Sequence, residues 1–176
     1  MIGPLLAAAL LLAVAGLAKV RAPRARSALA AAGLPGARLL PGRLSNRLLG
    51  LMELAVAVAA VLLGGRPQAL LIAVGYAVLA VLSARMVAAE VGQDCGCFAR
   101  PAPVSHWHTA VNAIAAGFGV AGLAVPARPL LSTLADEPVI GGALLVAAAA
   151  LAYLGYLTMT ALPALRSAAV RLEGAR

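Results

Sequence analysis

The two cysteines of this chain, Cys95 and Cys97, lie one residue apart in the run Asp94–Phe98. Two thiols this close can form a disulfide, bind a soft metal ion together, or exchange electrons with a partner. Gly96 between them accepts backbone angles that other residues refuse. A disulfide over one intervening residue closes a tight, strained ring that should be readily reduced. This spacing therefore favours thiol exchange, with Cys97, nearer the next helix, as the preferred attacking thiol.

Four polar residues follow the cysteines at the start of a predicted helix. Ser105 is a plausible N-cap, and Ser105, His108, Thr109 and Asn112 are spaced so that they share one helical face. A polar stripe on a membrane helix should face the bundle interior. We predict that His108 gives or takes the proton in thiol exchange and that Asn112 orients it. The competing interpretation of His108 is an interfacial histidine without a chemical task.

A metal site is the alternative for the same segment. Cys95, Cys97, His106 and His108 together offer the donor types that a soft or borderline ion such as copper or mercury prefers. A helix that begins at Ser105, however, would point the two imidazoles about 200° apart. A third interpretation treats the cysteines as two buried structural thiols, and a fourth treats the protein as a structural assembly factor whose cysteines are incidental.

The elements that must position these residues belong to a membrane. Hydrophobic residues make up 63% of the chain and charged residues 11%, which excludes an ordinary soluble domain. The net charge of +8 comes mostly from arginines in connectors and tails. This pattern suits anionic lipid headgroups. Because aromatic residues make up only 3%, we expect no nucleic-acid partner.

Apolar runs long enough to span a bilayer occur five times. Spanning segments must be helices, because the bilayer core offers no water to unpaired backbone groups. The predicted fold is therefore an all-α, polytopic transmembrane bundle of about five spans, forming one domain over 1–176. The first run lacks a charge before its apolar core and is predicted to be a retained span rather than a signal peptide. The runs cover about 2–18, 48–63, 69–89, 107–125 and 139–162, the last closed by Pro163.

Small residues within the spans predict where helices approach closely. Ala113, Gly117 and Ala121 recur every four positions on the fourth span, and Gly75 lies midway along the third. We expect a compact bundle, and the pattern predicts no oligomeric state.

Glu53 is a charge inside the second span. An unpaired charge there costs roughly 3 kcal/mol, so a partner is expected. Lys19 at the end of the first span and Arg85 in the third are the candidates. A structural ion pair is favoured over a proton relay.

The connector 19–47 carries seven basic residues and no acidic one. Its middle, 27–40, is predicted to form a short interfacial helix. The positive-inside rule places this connector in the cytoplasm, and five spans bring the arginines of the C-terminal tail to the same side. The segment with Cys95 and Cys97 would then also face the cytoplasm.

Together these features resemble the MauE family, which is related to DoxX-like membrane proteins. The resemblance rests on Asp94-Cys95-Gly96-Cys97-Phe98 after the third span, supported by Glu53 and by the Ser105 to Asn112 stretch. It covers about 1–125 and leaves 138–163 as an additional C-terminal span. Where the family usually has Gly and often has Arg, this chain has Ala99 and Val111.

The resemblance implies a redox-associated protein of the bacterial plasma membrane. The family supports disulfide formation in the small subunit of methylamine dehydrogenase beside a thioredoxin-like partner. We therefore expect a thiol–disulfide relay component, with oxidoreductase activity implied. Disulfide formation in exported enzymes would need the cysteines outside, opposite to the side that the charge rule predicts. No motif indicates a nucleotide, flavin or haem, and a quinone partner is left open.

Overall fold

The computed structural model describes residues 2–23, 28–31, 33, 41–89 and 104–173. Every regular element in these ranges is a helix, which confirms the predicted all-α class. The helices are α1 (Ile2–Arg21), α2 (Ala28–Ala31), α3 (Gly42–Leu63), α4 (Gly65–Ala88), α5 (His106–Ala124), α6 (Leu130–Asp136) and α7 (Pro138–Glu173).

Helix α1 lies at the centre of the bundle. Its residues Leu5 to Ala9 are almost completely buried, and Leu12 joins the main hydrophobic cluster with residues of α3, α4 and α5. Leu11 and Ala15 pack against α7 through Ala152 and Met159. The first apolar run is thus a central helix of the bundle.

Helices α4 and α5 form an antiparallel pair through glycines that sequence analysis did not select. A Cβ added to Gly119 would lie 2.5 Å from the backbone nitrogen of Ala73, and one added to Gly122 would lie 2.9 Å from the Cβ of Ala69. The small-residue stripe predicted on the fourth span marks the wrong face of α5, because Ala113 and Gly117 are exposed. Alanine is so common in this chain that four-residue spacing did not identify the buried face.

Helix α3 begins six residues before the predicted second span. Ser45 and Asn46 are buried on it, and Arg43 and Arg47 are exposed. Because a buried polar face and a charged outer face are both compatible with a helix, hydropathy alone placed its start too late.

Pro163 does not end the last helix, contrary to expectation, since α7 continues through it to Glu173. Proline removes one backbone donor. Pro163 lies at the end of the apolar stretch of α7, which closes at Leu165, so the missing donor falls in the last turn of the span. A short helix, α6, also precedes α7 and was not predicted.

Among the described residues, four helices are long and apolar enough to cross a membrane, namely α1, α3, α4 and α7. Helix α5 was predicted as a further span. It is not among these four. It is a 19-residue helix alongside α4, but His106, His108, Thr109 and Asn112 make its first half polar. The interfacial helix expected over 27–40 is described only in part. Helix α2 forms within it, and 34–40 lie outside the described residues.

The end of the bundle where α3 ends and α4 begins is closed by a tight turn between these two helices. Gly64 has φ +61°, and a Cβ there would lie 2.7 Å from the carbonyl oxygen of Ala127. The backbone N–H of Gly65 donates to that oxygen over 2.9 Å, and Arg66 Nε donates to the carbonyl of Leu123 over 3.1 Å. These contacts fix the start of α4 against the end of α5.

Candidate functional site

A polar cluster occupies the first turns of α5. Its members are partly or fully buried, and we define it as Ser83, Ser105, His108, Thr109 and Asn112. His108 is 1% exposed and Asn112 2% exposed. The predicted polar face of α5 therefore points into the bundle, where water cannot compete for its hydrogen bonds.

His108 is held by the residue that begins the helix. The backbone N–H of Ser105 donates to Nδ1 of His108 over 3.3 Å, and the Ser105 hydroxyl oxygen lies 3.2 Å from the same nitrogen. Because Nδ1 accepts the backbone hydrogen, neutral His108 carries its proton on Nε2. Neutral His108 can therefore donate a hydrogen bond through Nε2–H. Protonation of Nδ1 would break its contact with the backbone N–H of Ser105.

Helix α4 reaches the same cluster through a hydroxyl pair. Thr109 Oγ1 donates to Ser83 Oγ over 3.2 Å. Ser83 Oγ in turn contacts the carbonyl oxygens of Leu79 and Ala80 at 2.9 and 3.0 Å. The end of α4 and the start of α5 are therefore joined by hydrogen bonds.

The cysteines Cys95 and Cys97 lie outside the described residues, as do Glu90 and Asp94. Their segment, 90–103, connects the end of α4 to the start of α5. It is thus attached to the bundle at the end that carries the polar cluster. We name this end, where α1 and α4 terminate and α3 and α5 begin, the basic end.

The two histidines of the metal alternative lie in different environments. His106 is exposed at the start of α5, whereas His108 is buried beneath Ser105. Within the described ranges, no group of three His, Cys, Asp or Glu side chains is arranged to hold a metal ion. Trp107, between the histidines, is 37% exposed, as suits a residue near the membrane interface.

Glu53 is paired with Lys19, one of the two partners considered from the sequence. Lys19 Nζ lies 2.8 Å from Oε1 and 2.6 Å from Oε2 of Glu53. The side chains are 2% and 5% exposed, so the pair is almost fully removed from solvent. Arg85, the other candidate, is exposed on α4. The Lys19 ammonium group donates to both carboxylate oxygens of Glu53, which offsets much of the cost of removing the two charges from water.

Two glycines make this ion pair reachable, and sequence analysis overlooked them. A Cβ on Gly16 would lie 2.7 Å from the carbonyl oxygen of Gly50, and a Cβ on Gly50 would lie 2.7 Å from that of Gly16. Each glycine precedes a charge by three residues, in Gly16–Lys19 and Gly50–Glu53. The same spacing from glycine to charge on two neighbouring spans was the sequence signal that could have predicted this close approach of α1 and α3.

Tyr76 is a second residue that the sequence did not single out. It is 2% exposed, and its hydroxyl donates to the carbonyl oxygen of Ala8 over 2.7 Å. The hydrogen bond satisfies a polar group that would otherwise be costly inside the bundle, and it joins α4 to the central helix.

The fold and these contacts define a polytopic helical membrane protein with a buried ion pair and a polar cluster at one end. The chain belongs to the MauE family: the family model described as methylamine utilisation protein MauE matches residues 2–125. The match ends one residue after α5, so α6 and α7 lie beyond it. No curated protein gives a significant match, and no solved structure does either. Family membership is consistent with a role linked to methylamine utilisation.

Charge is distributed unequally between the two ends of the bundle. Of the 14 lysines and arginines, only Arg66 and Arg128 belong to the opposite end by chain position. The positive-inside rule then predicts a cytoplasmic basic end, together with Cys95 and Cys97. We expect a membrane-impermeant maleimide to label these cysteines only after the cells are permeabilised. Labelling in intact cells would contradict this orientation and put the thiols where exported enzymes acquire disulfides. A cysteine introduced at exposed Arg128 in a chain without Cys95 and Cys97 should show the reverse accessibility.

Proposed function

We propose that this protein is a thiol–disulfide relay component of the bacterial plasma membrane, in which Cys95 and Cys97 exchange disulfides with a thioredoxin-like partner. The observation that supports this most strongly is the polar cluster at the basic end. Its buried residues lie directly where the cysteine-bearing segment joins the bundle. The contacts between Ser105 and His108 also cap the start of α5, but capping alone does not account for the amide of Asn112, which is 2% exposed.

The chemistry of exchange suits these groups. A thiolate is the attacking species, and it is stabilised by a hydrogen-bond donor or by the positive end of a helix dipole. In the proposal the Nε2–H of His108 donates to the thiolate, and Asn112 holds the imidazole in place. Of the two roles expected for His108, giving or taking a proton, this tautomer favours donation.

Trapping a mixed disulfide tests the relay directly. With Cys97 as the attacking thiol, Cys95→Ser should accumulate a disulfide to a thioredoxin-like protein, because the resolving thiol is missing. Cys97→Ser and the double variant should accumulate none. The adduct is read by non-reducing electrophoresis and by mass spectrometry of the linked peptides.

Two outcomes would contradict the relay. One is the absence of any adduct in both single variants, with a thiol redox state that never changes as the applied potential is varied. The other is full complementation of methylamine growth by the double Cys→Ser variant, which would favour an assembly role with incidental cysteines.

A further inference from the structure

A groove of about 280 Å³ lies between α1, α5 and α7. Small, buried side chains line its bottom, among them Ala7 and Ala8 of α1, which are 3% and 4% exposed. Large, exposed side chains line its edges, with Ile114 of α5 and Leu154 of α7 both 58% exposed. Because α7 is long and apolar enough to cross a membrane, the groove opens toward the acyl chains of the bilayer.

Helix α7 supplies one wall of the groove and lies beyond the family-matched residues 2–125, which contain α1 and α5. A Cβ added to Gly155 of α7 would lie 3.3 Å from Cδ2 of Leu11 and 3.8 Å from Cγ1 of Val111. Gly155 therefore lies beside Val111, which fixes the level at which α7 faces α5. The groove forms where the C-terminal helix of this chain packs on the core that it shares with the family.

The interior of the groove favours hydrocarbon. Among the described residues that line it, only Trp107 and Thr158 have polar side-chain atoms, and none is charged. The Thr158 hydroxyl donates to the backbone carbonyl of Leu154 over 2.8 Å, and Trp107 lies in the first turn of α5. A ligand with its polar group inside the groove would lose hydration without compensation. The occupant that fits is an apolar chain whose polar group stays outside.

The length of the groove matches one leaflet of a bilayer. Its α5 wall runs from Trp107 to Phe118, eleven residues further along the helix. That distance is about 16 Å at the rise of an α-helix, and half of the hydrocarbon core is about 15 Å thick. Trp107 is 37% exposed, as is typical at the membrane interface. An acyl chain that enters beside Trp107 and extends to the midplane would therefore fill the groove.

The headgroup of such a lipid would lie at the basic end. His106, which precedes Trp107, is exposed, and Arg166 follows Leu165, where the apolar stretch of α7 closes. By chain position, all but two of the 14 lysines and arginines belong to this end. Positive charge at this level favours an anionic over a zwitterionic headgroup.

We propose that this groove binds an acyl chain of an anionic phospholipid whose headgroup lies at the basic end. The bound chain completes the packing between α5 and α7, where an empty groove would lose dispersion contacts. A second copy of this chain would bring the same positive charge to this end, which disfavours it as the occupant. Lipid binding here is independent of the relay and of where Cys95 and Cys97 lie.

Fluorescence of Trp107 reports on the groove directly, because Trp107 is the only tryptophan of the chain and lines it. The protein is reconstituted into bilayers of phosphatidylglycerol and phosphatidylcholine, with one lipid at a time carrying bromine on its acyl chains near the glycerol, at the depth of Trp107. Bromine quenches tryptophan on contact. We expect phosphatidylglycerol to be preferred by roughly fivefold in the relative binding constant, and salt at about 0.5 M to lower this preference by screening.

Two alanines of α5 provide a matched pair of variants. Ala110 lines the groove, whereas Ala113 is exposed and does not line it. Ala110→Leu fills the groove and should bring the preference to within about twofold of unity, while Ala113→Leu should keep the parent's value. The ratio of the two lipids is compared, because a leucine that merely shields Trp107 would reduce quenching by both lipids alike. Circular dichroism checks the fold, and a misfolded Ala110→Leu protein is replaced by Ala110→Val.

Three results would overturn the lipid site. Equal quenching by both brominated lipids in the parent would show ordinary boundary lipid without selection. A preference that survives Ala110→Leu unchanged would place the selective contact outside the groove. Weak quenching by both lipids, together with a dimer in the reconstituted bilayer, would identify a second copy of the chain as the occupant.

Discussion

Replacement of Lys19 by methionine is expected to destabilise the protein by about 3–5 kcal/mol, because it leaves the Glu53 carboxylate buried without its counterion. The two side chains are 2% and 5% exposed, so water cannot take over the missing interaction. A loss of this size is a large fraction of the total stability of a typical domain. Glu53→Met should be equally damaging, since it strands the ammonium group instead.

The double variant Lys19→Met/Glu53→Met should recover most of the lost stability. Replacing both members of a buried ion pair by apolar side chains of similar volume is often neutral or stabilising. Stability is measured as the free energy of unfolding by denaturant in micelles, and the four proteins form a double-mutant cycle. Arg85→Met is the control, because Arg85 is exposed and should change stability by less than about 0.5 kcal/mol.

Two results would contradict this account of the ion pair. One is a single variant as stable as the parent, which would mean that solvent or another group reaches the remaining charge. The other is a double variant whose loss equals the sum of the single losses, since that additivity would show that Lys19 and Glu53 do not interact.

Substitution of Gly50 by alanine is expected to separate α1 from α3. The new Cβ would lie 2.7 Å from the carbonyl oxygen of Gly16 and 2.8 Å from the Cβ of Lys19. Neither atom is the end of a flexible side chain, so the helices themselves must move apart. We expect a loss of about 1–3 kcal/mol, the usual range for overpacking, and a weakened Lys19–Glu53 pair, because Glu53 is one turn away.

The control is Gly117→Ala, the same substitution on a helical surface with no heavy atom within 4 Å of the added Cβ. It should be neutral or slightly stabilising, since alanine is the better helix former. Gly16→Ala should mimic Gly50→Ala, and the double variant should lose less than the sum, because one displacement accommodates both methyl groups. Equal stability of the Gly50→Ala and Gly117→Ala proteins would refute a close approach at this crossing.

The sequence by itself determined the class of protein and the approximate position of each long helix. Hydropathy is a local property of the chain, and the bilayer excludes every alternative to a helix in a long apolar run. Local signals also identified Ser105 at the start of α5 and the shared face of His108 and Asn112. They failed at Pro163, which was expected to end the last helix and instead lies inside α7.

The rotation of the helices and the choice of partners came only from the tertiary structure. Alanine and glycine occur on every face, so composition did not show that Gly119 rather than Gly117 contacts α4. Glu53 had two candidate cations, and the crossing of α1 and α3 at Gly16 and Gly50 selected Lys19.

The opening pair of thiols illustrates the same division. Its residue types and one-residue spacing are a local feature, and they alone defined the chemistry that Cys95 and Cys97 can perform. What the structure added concerns the described residues on either side of their segment: α5 begins there with a buried His108 whose Nδ1 accepts the Ser105 N–H. Local sequence specifies reactive groups, because these are covalent properties of single residues. Packing decides what those groups face, because helix contacts depend on residues far apart in the chain.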